Sequence, residues 1–233
     1  MVNNAFRGSV AASGGVVPEP APVPVVETFQ SNTGVGSAVA CTKPTGVVVD
    51  DILLIFAGSD YGGVINDFPT SMSGWNYVTR RGDNIMDAHM GVYWRKADGT
   101  EGATQTLNKT NSTNWFSHYI RISGAHLTVP VHAVATRQPS LPEASNALPN
   151  ITTTADNCLL IGGLSFDGGD GGPYAATGGY TVGDEAEIGT GVGSGGCWVE
   201  KDHATPGVTS AGSIVAVRAD GAVIFQLAIQ PPD

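Results

Sequence analysis

The sequence predicts an all-β fold: an eight-stranded, jelly-roll-like β-sandwich built from two related halves and preceded by an extended N-terminal arm. Short apolar runs bounded by Gly, Asp and Pro are the first observation, because such runs are too short for typical helices and fit buried strands. The second is that the same motifs return about 105 positions later. The third is composition: 32 Gly and 14 Pro supply many turns, while 41% apolar residues still allow a core.

Prolines alternate with small residues at the start of the chain, so we assign residues 1–26 to an arm and residues 27–233 to the sandwich. Alternating prolines favour an extended polyproline II conformation and lack the amides that a central strand needs. An arm that cannot bury itself is usually ordered by lying on another surface. We therefore expect partner contacts from Val17, Pro18, Pro20, Pro22 and Pro24.

The central strand of the first half is predicted at Ile52–Ala57, where six consecutive apolar residues indicate burial on both faces. The flanking strands are expected to be half-buried because apolar residues alternate along them. They are predicted within Glu27–Cys41 and at Gly74–Val78, Met90–Lys96 and Trp115–Ile122. In the last of these, Phe116, His118, Ile120 and Ile122 share one face.

The second half repeats these motifs in the same order at offsets of 105 to 109 positions. An offset of this length is far longer than a solenoid or propeller period and instead indicates two related halves. The matched pairs are Leu53–Leu54 with Leu159–Leu160, Gly74–Trp75 with Gly179–Tyr180, Gly91–Tyr93 with Gly196–Trp198, and Trp115–Ile120 with Ile224–Ile229. We further expect a hairpin at Ala219–Ala222 that places Ile214–Val217 beside the last strand, and a linker between the halves at Pro139–Pro149.

Charge and cysteine content limit the classes of partner. The formal net charge of -10 repels phosphate, so we expect no nucleic-acid partner. The three cysteines show no metal-binding spacing and no even count for a disulfide framework. Cys158 and Cys197 lie within apolar strand runs, which predicts buried thiols there and folding in a reducing cytoplasm. No segment approaches the ~20 apolar residues of a membrane span, and the N-terminus lacks a signal-peptide core.

The sequence predicts no catalytic, cofactor-binding or metal-binding residues. The five histidines are scattered, and none falls in a two-ligand or nucleophile-and-base motif. The segment Asp167–Gly172 could present carboxylates to Ca²⁺, but it lacks an EF-hand ligand set, so we interpret it as a solvated Gly-rich loop. A carboxylate pair for glycan cleavage is a further alternative, although no pair is singled out.

Several stretches resemble a family of β-sandwich proteins found in tailed-bacteriophage genomes. They are Lys43–Asp60 (KPTGVVVDDILLIFAGSD), Gly74–Trp75, Gly91–Asn108 (GVYWRKADGTEGATQTLN), Arg121–His126 (RISGAH) and Thr152–Gly169 (TTTADNCLLIGGLSFDGG). The likeness covers roughly residues 40–230, whereas residues 1–26 lie outside it. Asp50 stands where the family often has Gly.

The resemblance implies a non-enzymatic virion structural protein. We expect a capsid decoration, or cement, protein on the outer capsid surface that binds the major capsid protein and forms a homo-oligomer, with a trimer favoured. The alternative is a tail or fibre module that recognises host carbohydrate through the Gly-rich loops near residues 60–67 and 167–196.

Overall fold

A computed structural model describes residues 19–61, 67–82, 87–189 and 193–233, and within these ranges the chain forms β-strands and no helix. The strands are β1 (Val25–Thr42), β2 (Ile52–Asp60), β3 (Asn76–Gly82), β4 (Ala88–Lys96), β5 (Thr104–Ser123), β6 (Val131–Arg137), β7 (Glu143–Ala147), β8 (Thr152–Thr153), β9 (Cys158–Asp167), β10 (Ala175–Ala176), β11 (Thr181–Ile188), β12 (Ser194–His203), β13 (Gly207–Val208), β14 (Ser213–Asp220) and β15 (Ala222–Ile229). The predicted all-β class is confirmed.

Two antiparallel five-stranded sheets pack face to face. Sheet I has the order β1-β5-β2-β4-β3 and sheet II the order β11-β12-β9-β15-β6. Leu54 and Phe56 of sheet I share one buried cluster with Leu159, Phe225 and Leu227 of sheet II. The main core therefore lies between the sheets, as in a β-sandwich.

The two sheets repeat one topology. Read from one edge to the other, both sheets place equivalent strands in the same order. The equivalent pairs are β1 and β6, β5 and β15, β2 and β9, β4 and β12, and β3 and β11. Both β3 and β11 also carry a bulge at the matching place, between Tyr77 and Thr79 and between Val182 and Asp184. The related halves inferred from the sequence are therefore visible as two sheets of the same design.

The strand count and connectivity differ from the sequence prediction. Ten strands form the two main sheets rather than eight. The strand predicted within Glu27–Cys41 is the edge strand β1 of sheet I, and β6, which was not predicted, is its counterpart in sheet II. Each main sheet is also drawn from one half of the chain, whereas a jelly roll consists of two Greek keys spread over both sheets. The jelly-roll detail is therefore not confirmed.

The internal repeat is present, but two of the matched pairs are out of register by one residue. Leu53 packs on the outer side of sheet I, whereas Leu159 packs in the core between the sheets, so Ile52 is the structural counterpart of Leu159. The same one-residue shift affects the matched pair Val92 and Cys197. Val92 faces the core between the sheets, whereas Cys197 faces the outer cluster of sheet II. A one-residue shift places every side chain of a strand on the opposite face.

Each main sheet is covered on its outer side by a further β-layer. The far halves of β1 and β5 fold back over sheet I, where the hydroxyl of Ser117 donates to the carbonyl of Ala40 at 3.0 Å. Over sheet II the cover is the separate sheet β10-β14-β7. Both outer clusters are apolar and rich in aromatic residues, with Trp75 and Tyr119 on sheet I and Phe166 and Tyr180 on sheet II.

Two connections were predicted wrongly. Residues 139–149 do not simply join the halves, because β7 lies within them and pairs with β14. The chain does turn at Gly221, but β14 pairs with β7 and β10 while β15 pairs with β6 and β9, so these consecutive strands enter different layers instead of forming a hairpin. The apolar alternation along β14 fits either layer equally well.

Candidate functional site

The described part of the arm lies at the edge of the sandwich. Residues 19–24 have no regular structure, and β1 begins at Val25, two residues earlier than the predicted boundary. Pro20 and Pro22 are exposed, whereas Pro24 is buried against the chain's own sandwich. The carbonyl of Ala21 accepts a hydrogen bond of 2.7 Å from Asn157 Nδ2.

Only part of the predicted partner-binding set is therefore presented to solvent. Val17 and Pro18 lie outside the described residues. Since Pro24 is already enclosed by the sandwich, Pro20 and Pro22 are the described members of the set that a partner could reach directly.

A groove of about 550 Å³ runs beside the arm. Its walls come from the start of β1 and from β9, β11 and β12, and they carry the charged residues Glu200, Lys201 and Asp202. Lys201 Nζ is held by the carbonyl of Gly178 and the hydroxyl of Ser210, both at 2.6 Å, so its position in the groove is well defined. Burial, and then repulsion from Asp202, raise the pKa of Glu200.

The Gly-rich segment Asp167–Gly172 packs closely against its neighbours. A Cβ on Gly169 would stand 2.2 Å from the carbonyl oxygens of Ile188 and Gly189, which explains why glycine is required there. Glu187 accepts the amide of Gly172 at 2.5 Å. The described residues contain no group of three or more His, Cys, Asp or Glu side chains arranged to hold a metal ion.

Carboxylates cluster near the Gly-rich segment, around Asp60 at the end of β2. Burial is the largest cause that raises the pKa of Asp60 to about 6, and repulsion from Asp87 and Asp220 adds to it. Attraction to Lys109 and a hydrogen bond with Asp167 lower the pKa of Asp60 and so offset part of this rise. The fold therefore favours the protonated form of Asp60.

The replacement Asp60→Asn is expected to stabilise the protein above pH 6. Folding raises the pKa of this carboxyl group from 3.8 to about 6, so its contribution to the stability of the protein is complete below pH ~4. That contribution is lost as the pH rises through about 6 and the buried group ionises. Allowing for solvent screening of a half-buried group, the variant should gain about 1–2 kcal/mol at pH 8 and almost nothing at pH 4. Urea titrations at both values measure this; the exposed Asp233→Asn is the control, and a gain independent of pH would contradict the assignment.

Ser31, His118 and Asp184 meet between the sheets but do not form a catalytic triad. Ser31 Oγ donates a hydrogen bond to Asp184 Oδ2 and lies 2.7 Å from His118 Nδ1, so the serine stands between the aspartate and the histidine. In a triad the histidine stands between serine and aspartate and accepts the serine proton. His118 Nε2 instead is buried without a hydrogen-bond partner, beside Phe56 and Phe116. The trio links β1, β5 and β11 across the two sheets.

The three cysteines are buried and unpaired, and burial was predicted for Cys158 and Cys197. Burial raises the pKa of Cys41 to about 12 and also raises that of Cys158 and Cys197. Thiols with raised pKa values are poor nucleophiles, so a packing role fits all three.

A second buried polar cluster surrounds Asp67 and Lys109, and it was not predicted from the sequence. The two residues are separated along the chain by β3 and β4. Both side chains are fully buried, and Lys109 Nζ lies 3.1 Å from Asp67 Oδ2. The only sequence signal was a lysine within the polar segment that precedes Trp115, which is common on exposed strands.

The loops proposed for glycan recognition are partly outside the described residues, since 62–66 and 190–192 are not covered. Of their described members, Asp67 is buried in the cluster with Lys109, and Asp170 pairs with Arg218.

Comparisons with family models, with curated proteins and with solved structures found no match to this chain. The described residues include no helix of the length and hydrophobicity that a membrane span requires.

Proposed function

We propose that this protein is a non-enzymatic structural component of a tailed-bacteriophage virion that decorates the outer capsid surface and binds the major capsid protein. The resemblance of residues 40–230 to phage β-sandwich proteins supports the class of protein. The net charge of -10 supports an outward position, away from packaged DNA.

The observation that carries the proposal is how the arm leaves the sandwich. Pro20 and Pro22 are exposed at the edge of the sandwich, and eighteen further residues precede Glu19 in the sequence. A segment with alternating prolines costs little conformational entropy when it binds in an extended form. The arm is therefore suited to reach over a neighbouring capsid subunit.

The surface also offers apolar side chains for contacts between identical copies, consistent with the proposed homo-oligomer. Scattered apolar residues are normal on any surface, but each remains available for packing. Those more than half exposed are Val25, Val35, Val48, Val49, Val129, Leu141, Val208 and Val217.

Capsids assembled without this protein test the proposal. Wild-type protein added back should bind in many copies per shell and raise the temperature at which the shells release DNA. A variant lacking residues 1–20 retains Ala21 and its hydrogen bond to Asn157, so it should keep the wild-type unfolding temperature. It should bind at least tenfold more weakly, because it lacks Pro20 and the arm that precedes it. Shells that are equally robust with and without the protein would reject the cementing role.

The charged groove favours one alternative, a tail or fibre module that binds host carbohydrate. Glu200, Lys201 and Asp202 could accept and donate hydrogen bonds to sugar hydroxyls. Gold labelling at the tail, together with glycan-array hits that are lost in Lys201→Ala, would favour this function over decoration. Labelling over the head without glycan hits would remove it.

A further inference from the structure

The buried pair of Asp67 and Lys109 has an arrangement suited to covalent chemistry. Lys109 Nζ makes its two shortest hydrogen bonds to the carbonyl of Asn111 at 2.5 Å and to the hydroxyl of Thr113 at 2.7 Å. A neutral amine has two hydrogens, so these two acceptors would occupy both and leave its lone pair free, with Asp67 Oδ2 3.1 Å away. The atom that the amine would attack, Asp67 Cγ, is bonded to this oxygen, so the two reacting groups are held side by side.

The carboxyl group of Asp67 is held in a fixed orientation. Its Oδ1 accepts hydrogen bonds from the backbone amide of Asn111 at 2.9 Å and from Asn111 Nδ2 at 3.1 Å. Two donors on one oxygen stabilise the negative charge that develops there during attack on a carbonyl carbon. Oδ2 accepts the hydroxyl of Ser59 at 2.7 Å, which marks it as the oxygen that would leave.

We propose that Lys109 and Asp67 form an intramolecular isopeptide bond, an amide between Lys109 Nζ and Asp67 Cγ, and that this chain catalyses its own cross-linking. The inference does not depend on the proposed virion role.

The reaction needs no oxidant, reductant or other reactant. Lys109 Nζ forms a bond to Asp67 Cγ, and the bond from Cγ to Oδ2 breaks. Of the three protons of the ammonium group, two leave with Oδ2 as water and one stays on the amide nitrogen. The product is neutral, so the reaction removes two charges from a fully buried site, where desolvation makes ions costly.

The surroundings favour the reactive form of the amine. Burial lowers the pKa of Lys109, although attraction to Asp67 and Asp60 opposes this. A lysine with a lowered pKa in a desolvated site is the usual form of a nucleophilic lysine. Burial also lowers the pKa of His89, whose Nδ1 accepts the backbone amide of Asp67 at 3.4 Å, so a neutral ring helps to position the carboxyl group.

The bond would fasten Asp67, seven residues after the end of β2, to the irregular part of β5, closing a covalent ring over residues 67–109. Such a cross-link restricts the unfolded chain, as a disulfide does, but it resists reduction. Three buried, unpaired cysteines leave the fold without disulfide cross-links, so this bond would be a covalent staple independent of redox conditions.

Mass spectrometry of the full-length chain under denaturing conditions tests the proposal. The wild-type protein should be lighter than its sequence mass by one water molecule. Trypsin should leave Lys109 uncleaved and yield a branched product in which residues 8–80 are joined to residues 97–121. A full sequence mass with normal cleavage after Lys109 would overturn the proposal, as would a water loss that maps to an Asp-Gly pair such as Asp98-Gly99.

Two matched variants separate a cross-link from an ordinary ion pair. Lys109→Arg keeps the buried cation, but a guanidinium is not a nucleophile, so this variant should retain its full sequence mass. Asp67→Asn removes the ion pair, yet its amide can still react by releasing ammonia, so it should reach the same final mass as the cross-linked wild-type protein. An Asp67→Asn variant that folds but stays at its full sequence mass would count against the mechanism.

Discussion

Replacing Phe56 with alanine is expected to lower the free energy of unfolding by about 3–5 kcal/mol, the largest effect of any single substitution considered for this protein. Phe56 is fully buried at the middle of β2. The centroid of its ring lies 5.3 Å from the ring centroid of Phe116, 5.0 Å from that of Phe225 and 5.7 Å from that of the His118 imidazole. The substitution would thus open a cavity at the point where both sheets meet and remove three ring contacts, each of which adds to the burial energy.

Urea titration monitored by tryptophan fluorescence measures this loss. Leu141→Ala is a suitable control because Leu141 is 70% exposed, and its loss should change stability by about 0.5 kcal/mol or less. If the two substitutions had similar effects, the core between the sheets would not be the main source of stability.

Asp51→Ala is expected to cost about 3 kcal/mol, the second-largest effect. Asp51 Oδ2 accepts hydrogen bonds from Arg121 Nε at 2.6 Å and from the backbone amide of Val48 at 2.8 Å. The carboxyl group is almost completely buried. Truncation leaves the mostly buried guanidinium without its carboxylate and removes the hydrogen bond that closes the turn before β2. Uncompensated charge in such a place is costly.

An exposed pair beside it provides the comparison. Lys96 Nζ lies 3.1 Å from Asp50 Oδ1, but both side chains are about half exposed. Lys96→Ala should therefore lower the free energy of unfolding by no more than about 0.5 kcal/mol. In a double variant, Asp51→Ala should destabilise the protein as much as it does alone. Thermal unfolding of the wild type and both variants at low and high salt checks this. If salt strongly reduced the destabilisation caused by Asp51→Ala, the pair of Asp51 and Arg121 would be screened by solvent instead of buried.

The strand class could be predicted because the local pattern is strong. Consecutive apolar residues at Ile52–Ala57 indicated a strand buried on both faces, and both faces of β2 are indeed covered, by sheet II and by the outer layer of β1 and β5. Trp75 and Tyr180, matched across the repeat, occupy corresponding outer clusters. These residues are bounded by turn signals that limit where the strands can lie.

Register was not predictable from the same residues. A strand with apolar side chains on both faces has no alternation, so matching Leu53 with Leu159 or matching Ile52 with Leu159 fits the sequence equally well. The layer assignment of β14 failed for a related reason. Its pairing with β7 depends on contacts between segments that are distant in sequence.

The sequence by itself determined the all-β class, the internal repeat, the buried thiols and the proline-rich start, because each is written in neighbouring residues. Only the tertiary structure decided which faces meet, that Pro24 is enclosed while Pro20 and Pro22 are exposed, and that Lys109 lies against Asp67. The physical reason is that a contact across two intervening strands depends on strand pairing and sheet packing, and neither leaves a local signal in an isolated Asp or Lys.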